Sequence, residues 1–316
     1  FEASERGKHW YQTNCCPELY LHPFMASSVY LSLVGVLWAV AANAEGSSLL
    51  QLHTALTQKA QGHWSKTCAM YPGKRIVFLS VSSQFTDLFD NWLYHAAPHL
   101  NHATEQVVAL AENAEVLPVL RQMSGAYGVN FDTQFDKSWH HIGNATSNCD
   151  HLTASYGSVV THRPEVIKGM LEANCTVFYQ DVDTAWKSSV LSVLDASGVH
   201  DVMLADDDPR DDGKPSRDLC SCLMYIQPTL TSREFVRRWA AADKGNVVNQ
   251  PFMNDVLLDM RGWIDVHVLS NDQFPCGKNA ANASKPVSLH ANWLVGTRNK
   301  TAFFKKFHMW HIPDKE

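Results

Sequence analysis

From about residue 74 the chain alternates between two hydrophobic periods. Short apolar runs, Arg75 to Val81 and Gln106 to Leu110, have the length of buried strands. Each is followed by apolar positions spaced three and four apart, the helical period. Gln84 to His95 puts Phe85, Leu88, Phe89, Trp92 and Leu93 on one face, with Ser82 and Ser83 placed to cap it. Ala114 to Met123 repeats the helical pattern despite Pro118, and residues 124 to 150, rich in Gly, Asn, Asp, Ser and Thr, read as a long loop. Pro164 to Ala173 is predicted as a helix that leads into a strand ending at Gln180. Further on, Asp201 to Leu204, Leu223 to Ile226 and Val266 to Leu269 are predicted strands. Thr231 to Ala242, Pro251 to Met260 and Thr301 to Phe307 are predicted helices. Strands alternating with helices predict an α/β fold with a mostly parallel central sheet flanked by helices, whose ligands bind beyond the carboxyl ends of the strands. No repeat or linker interrupts the pattern, so residues 74–316 are expected to form one domain.

The N-terminal pattern differs. Val29 to Ala42 is an apolar run of signal-peptide length, followed by Ala42-Asn43-Ala44 and polar Glu45-Gly46-Ser47-Ser48. Residues 25–44, starting at Met25, are expected to act as a cleaved signal or short signal anchor. The run is short for a membrane span of about 20 apolar residues. Residues 1–24 read as non-structural upstream sequence and 45–73 as a stem. Membrane contact is expected if the anchor is uncleaved. Six cysteines follow Ala44, and four N-x-S/T sequons stand at Asn144, Asn174, Asn282 and Asn299. Both suit an oxidising secretory lumen, with disulfides of unspecified pairing, and the expected place is the Golgi lumen, or secretion if the signal is cleaved. With 26 basic against 32 acidic residues and no Lys/Arg block, the charge argues against nucleic acid as a partner.

The most informative chemistry lies at the end of the strand before Gln180. Asp181-Val182-Asp183 sets two carboxylates around one apolar residue where the chain must turn. Both can then face one hard divalent cation, Mn²⁺ or Mg²⁺, which takes oxygen ligands and leaves positions for substrate phosphates. Three later segments add to it. Asn249-Gln250-Pro251-Phe252-Met253-Asn254 opens a helix with a polar pair. His290-Ala291-Asn292, with Gly296 and Lys300 behind it, supplies a third metal ligand, a close backbone approach and a phosphate-neutralising cation. Arg163 stands one helix upstream of the D-x-D.

In this order the pieces resemble the nucleotide-diphospho-sugar transferase family, which has the GT-A-like nucleotide-binding fold, in its glycosyltransferase family 77 form. The resemblance runs from about Lys74 to Trp310. It rests on strand-Asp181-x-Asp183-x-x-Trp186, on Gln250-Pro251-Phe252-Met253-Asn254, on Phe274-Pro275-Cys276-Gly277, and on His290-Ala291-Asn292 with Gly296 and Lys300. It implies a metal-dependent, retaining glycosyltransferase that moves a galactose, xylose or arabinose unit from a UDP-sugar to a glycan or glycoprotein hydroxyl. Asp181, Asp183 and His290 would bind Mn²⁺, with Asp181 also near the ribose, and Gly296 and Lys300 would hold the diphosphate. Arg163 would lie near the donor and Gln250 near the anomeric carbon. Asn249 replaces the family's usual aspartate, and Cys220-Ser221-Cys222 replaces its usual Asn-x-Gly before the strand near residue 223.

Two rivals use the same residues. A transferase-like protein that binds nucleotide or glycan without turnover is kept in play by Asn249. A haloacid-dehalogenase phosphatase would use Asp181 as nucleophile, but places its motif near the domain start. The acidic run Asp206-Asp207-Asp208, with Asp211 and Asp212, reads as a solvated loop because like charges repel, with the edge of the donor pocket as its alternative place. Trp186, Trp239, Trp293 and Trp310 read as core anchors, Trp293 with the further option of stacking on a sugar.

Overall fold

The computed structural model describes residues 72–129, 131–134, 163–208, 218–242 and 249–313. The upstream segment, the signal or anchor, nearly all of the stem, and Asn144 and Cys149 lie outside these residues. Among the described residues no helix is long and apolar enough to cross a membrane.

Seven strands form the main sheet: β1 (Arg75–Val81), β2 (Glu105–Ala111), β3 (Phe131–Gln134), β4 (Thr176–Gln180), β6 (Val202–Asp206), β7 (Leu219–Ile226) and β8 (Val266–Val268). Their order is β3-β2-β1-β4-β7-β6-β8. The β1–β2, β2–β3, β1–β4 and β6–β8 pairs are parallel, and β7 runs antiparallel to both β4 and β6. Two three-residue strands, β5 (Thr184–Trp186) and β9 (Ser288–His290), make a separate antiparallel ribbon. The helices are α1 (Thr86–Ala96), α2 (Val116–Tyr127), α3 (Arg163–Glu172), α4 (Val190–Ala196), α5 (Leu230–Ala242), α6 (Gln250–Asp259) and α7 (Thr297–Lys306).

The two-residue period of a strand explains why the central runs are apolar throughout. Val77, Leu79 and Val81 enter one core with Leu88, Phe89 and Trp92 of α1. Ile76 and Phe78 enter the other, with Ile167 and Met170 of α3 and Phe235 and Trp239 of α5. Each face therefore needs its own cover of helices, and the sheet edge where the strands end is left for chemistry.

The predicted loop over 124–150 is corrected at its start. Helix α2 continues to Tyr127 and is closed by Gly128 at φ 62°, and β3 follows as an edge strand on β2. Turn-forming composition misled here: Gly128 supplies the left-handed cap that ends a helix, and β3 takes its hydrogen bonds from β2.

A second correction concerns Cys220-Ser221-Cys222, which lies inside β7 rather than before it. Between the pairs Leu204–Met224 and Asp206–Leu219, β6 advances two residues while β7 advances five. The surplus is a bulge. It also breaks the alternation, since Cys220, Cys222 and Leu223 all join the core that contains Phe274 and Leu289. The Cα atoms of Cys220 and Cys222 are 5.0 Å apart, against about 6.6 Å for two steps of extended strand. Their sulfurs are disulfide-bonded.

Candidate active site

Strand β4 stops at Gln180, and the Asp181 N–H still donates to the Cys222 carbonyl at 2.8 Å. The chain then turns, closed by Thr184 Oγ1 donating to the Asp181 carbonyl at 2.9 Å, and enters β5. In the ribbon Thr184 faces His290, and the Ala291 N–H donates to the Asp183 carbonyl at 2.9 Å. Segments about a hundred residues apart in sequence are thus fixed by backbone bonds, which place the His290 ring beside the Asp183 carboxylate.

His290 Nε2 lies 3.3 Å from Asp183 Oδ1, and both residues are buried, 6% and 7% exposed. Lys300, in the first turns of α7, bonds the other Asp183 oxygen and donates to the Ala291 carbonyl at 3.0 Å. Gly296 caps α7 at φ 80°, a left-handed angle that favours glycine. Asp181 receives Arg163 Nη1 at 3.0 Å and the Tyr179 hydroxyl, while the Arg163 guanidinium stands 5.5 Å from the Tyr179 ring centre.

Burial opposes charge on Asp183, but Lys300 and His290 outweigh it and hold the carboxyl well below its usual range. Burial likewise opposes a charged imidazole. The carboxylate of Asp183 prevails, and His290 is held above its ordinary value.

Donor atoms of Asp181, Asp183 and His290 lie within 4.8 Å of one another. Oxygen ligands about 2.1 Å from a hard divalent ion stand up to about 4.2 Å apart across it. Two carboxylates and one imidazole gathered there are donor types that Mn²⁺ or Mg²⁺ accepts. Asp181, Asp183, His290, Lys300 and Arg163 stand together in one cluster.

Asn249 and Gln250 form a second, adjoining group. Asn249 caps the start of α6; its Oδ1 accepts from Ser221 Oγ at 3.0 Å and its carbonyl from Trp239 Nε1 at 3.1 Å. Gln250 Oε1 accepts from the Ser221 N–H at 3.1 Å, and its Nε2 donates to Asp207 Oδ2 at 2.8 Å and Asp218 Oδ1 at 3.1 Å. Asn292 Nδ2 donates to Asp207 Oδ1 at 2.6 Å. Asp207 thus ties Gln250 to the segment that carries His290.

This overturns the solvated reading of the acidic run. Asp206 and Asp207 are buried, 2% and 8% exposed, while Asp208 is exposed and pairs with Lys278 at 3.1 Å. The Gln250 and Asn292 amides donate to Asp207. The signal that could have found it is its position, directly beyond the carboxyl end of the apolar strand β6.

The Phe274-Pro275-Cys276-Gly277 segment packs against the same corner. The Gly277 N–H donates to the Asn292 side chain, and a Cβ on Gly277 would collide with the Asn292 backbone carbonyl. Of the four tryptophans, Trp186 and Trp239 are fully buried and Trp310 packs partly buried against the core. Trp293 is not a core anchor. It is 46% exposed, its Nε1 donates to the Asp207 carbonyl at 3.0 Å, and the Lys278 ammonium lies 3.3 Å over its ring.

Residues 124–304, more than half of the chain, match the nucleotide-diphospho-sugar transferase family. The chain is 25% identical over 270 residues to the UDP-D-xylose:L-fucose alpha-1,3-D-xylosyltransferase MGP4 of Arabidopsis thaliana, covering 76% of this chain and 71% of that protein. It is 23% identical over 300 residues to UDP-D-xylose:L-fucose alpha-1,3-D-xylosyltransferase 1 of the same plant, covering 84% and 80%. An active-site mutant of LgtC superposes with a TM-score of 0.50 at 13% identity, over 76% of this chain and 98% of that one, a likeness of fold. The family match displaces the phosphatase reading of Asp181. With the predicted α/β sheet in place, the chain belongs to the nucleotide-diphospho-sugar transferase family and is a glycosyltransferase that draws a sugar from a nucleotide-sugar donor.

Proposed function

We propose that the protein transfers a sugar from a UDP-sugar to a hydroxyl of a glycan or glycoprotein, with retention of anomeric configuration and dependence on Mn²⁺ or Mg²⁺. The observation that carries this is the convergence of Asp181, Asp183 and His290 within 4.8 Å at the strand ends. Asp181, Asp183 and His290 would hold the ion, which would supply Lewis-acid stabilisation of the charge on the departing nucleoside diphosphate, worth several kcal/mol. Lys300 and Gly296 sit at the N-terminal end of α7, where the helix dipole and the ammonium both favour the diphosphate. Arg163 holds Asp181 in place from the neighbouring helix.

Gln250 and Asn249 line the sugar side in this reading. Both are amides and neither can act as a covalent nucleophile, and each Asp207 oxygen already accepts an amide N–H. That arrangement favours a front-face transfer, in which the leaving phosphate helps take the acceptor proton, over a covalent glycosyl-enzyme. UDP-xylose heads the donor candidates because the plant relatives carry it in their names, with UDP-galactose and UDP-arabinose beside it. A Golgi lumenal setting suits the disulfide at Cys220–Cys222.

The test is UDP release from a panel of UDP-sugars, with Mn²⁺ or with EDTA, for the wild type and Asp183→Ala. Release that needs both the metal and Asp183 is expected, and it names the donor. Metal-dependent donor binding without release on any glycan acceptor would favour the non-catalytic alternative. Loss of binding as well would remove the D-x-D assignment.

A further inference from the structure

Strand β7 carries a pair of residues that sugar transfer does not use. Cys220 and Cys222 stand two apart across the bulge, bonded to each other, in the core that faces His290. Cys222 Sγ is 3.3 Å from His290 Nδ1, while the opposite ring nitrogen, Nε2, is 3.3 Å from Asp183 Oδ1. The imidazole therefore sits between a sulfur pair and a carboxylate pair. Donor atoms of Cys220, Cys222 and His290 lie within 4.8 Å of one another, and all three residues are buried. Zinc bonds to sulfur at about 2.3 Å and to imidazole at about 2.0–2.1 Å, so tetrahedral ligands stand roughly 3.5–3.8 Å apart. The bonded sulfurs would have to part to that spacing; two thiolates and one imidazole would then be donors for a soft or borderline ion, as the aspartate side offers donors for a hard one.

We propose that reduction of the Cys220–Cys222 bond opens a Zn²⁺ site made of Cys220 Sγ, Cys222 Sγ and His290 Nδ1, and that filling it withdraws His290 from Asp181 and Asp183. The first half stands on the sulfur–imidazole geometry alone; the second rests on the proposed donor-metal site.

The chemistry balances. One dithiol gives two electrons, the S–S bond breaks, each sulfur takes a proton, and the reductant leaves as its own disulfide. Both thiol protons depart when zinc binds. A neutral imidazole has a single ring lone pair. Once that pair is given through Nδ1, the ring proton resides on Nε2. Nε2–H then faces Asp183 as a donor and offers no electrons to an ion between the aspartates. In the oxidised chain the sulfurs are committed to each other, and Nε2 stays available.

The full chain, oxidised or reduced with a dithiol that is then removed, would be titrated with Co²⁺ as a probe for zinc. A thiolate-to-cobalt charge-transfer band at one equivalent, displaced by Zn²⁺, is expected in the reduced chain and not in the oxidised one. A Cys220→Ser/Cys222→Ser variant reduced alongside keeps Cys276 and the disulfide-bonded Cys175, and it should lack the band. His290→Gln keeps both thiols and should bind cobalt at least about tenfold more weakly. No band in a reduced chain whose freed thiols have been counted, the same band in the double variant, or unchanged affinity in His290→Gln would overturn the site.

For the second half, UDP binding with Mn²⁺ should weaken at least about tenfold when the reduced chain carries zinc. Undiminished binding would overturn the competition. Failure of the oxidised chain to bind UDP would instead count against the donor site and leave the cobalt result standing.

Discussion

Asp207 gives one oxygen to the Asn292 amide and the other to the Gln250 amide, and its backbone carbonyl takes the Trp293 indole N–H. An asparagine there would turn an N–H toward one of those N–H donors. Asp207→Asn is expected to lower kcat/KM about 10²-fold and stability by about 1–3 kcal/mol, whereas exposed Asp208→Asn should stay within a few-fold. Steady-state kinetics beside denaturant melts would check both. Glu234 is a contrasting residue with no place in the site. It accepts from Arg237 and Arg238 on the exposed side of α5, and those hydrogen bonds lower its carboxyl to about 2 from the ordinary 4.5. A lowered folded value means that the benefit is present above pH 4.5 and fades as pH falls toward 2. Screening keeps it below about 1 kcal/mol. Glu234→Gln should therefore be slightly less stable at pH 7, and the difference should vanish in urea melts taken near the acid limit.

At the scale of elements, the site depends on backbones that approach closely. Gly277 meets the Asn292 carbonyl with no room for a Cβ, so Gly277→Ala must push the Phe274–Gly277 turn away from the His290–Asn292 segment. We expect a loss of about 1–3 kcal/mol from overpacking and a fall in turnover of at least about tenfold, because misplacement by an ångström can cost more than that. Thermal unfolding and UDP release measured on one preparation would separate the two effects. Trp239→Ala should act through stability. It empties a fully buried site in the core shared by α3, α5 and α6, and it orphans the Asn249 carbonyl that receives the indole N–H. The expected cost is about 3–5 kcal/mol, read from the shift of the urea midpoint.

Considered as a whole molecule, the described chain brings residues from α3, β4, β6, the Asn249–Gln250 corner of α6, β9 and α7 to one edge of the sheet. A ligand that bridges those elements stabilises the fold by mass action. UDP-xylose with Mn²⁺ at about 100 times its Kd should add about 2.7 kcal/mol, which is roughly 5–10 °C in Tm for a domain of this size. EDTA should remove the shift, as should Asp183→Asn, and differential scanning fluorimetry would show it. A shift that survives EDTA would place the nucleotide without the ion.

Much of this was readable along the chain because a buried strand needs only its own apolar run. β1, β2, β4 and β6 announce themselves in that way, and so do α1, α3, α5 and α6 by their period. The motif residues Asp181, Asp183, Asn249, Gln250, His290 and Lys300 were likewise legible, since their chemistry is set by side-chain type and order. β5 and β9 were not. Three-residue strands have no period, and their pairing is a contact between distant segments. Asp207 was misread for a related reason: in sequence it is one of three repelling acids, and only the fold supplies the Asn292 and Gln250 amides that let it be buried. The Cys220–Cys222 pair appeared as a departure from a motif until the bulge of β7 turned it toward His290. The α/β class, the two-sided core and the candidate site residues are written along the chain, because these depend on local hydrophobic period and on chemistry carried residue by residue. Tertiary structure alone decided which of those groups meet, since burial of a charge or a sulfur beside an imidazole requires partners that only chain closure can bring.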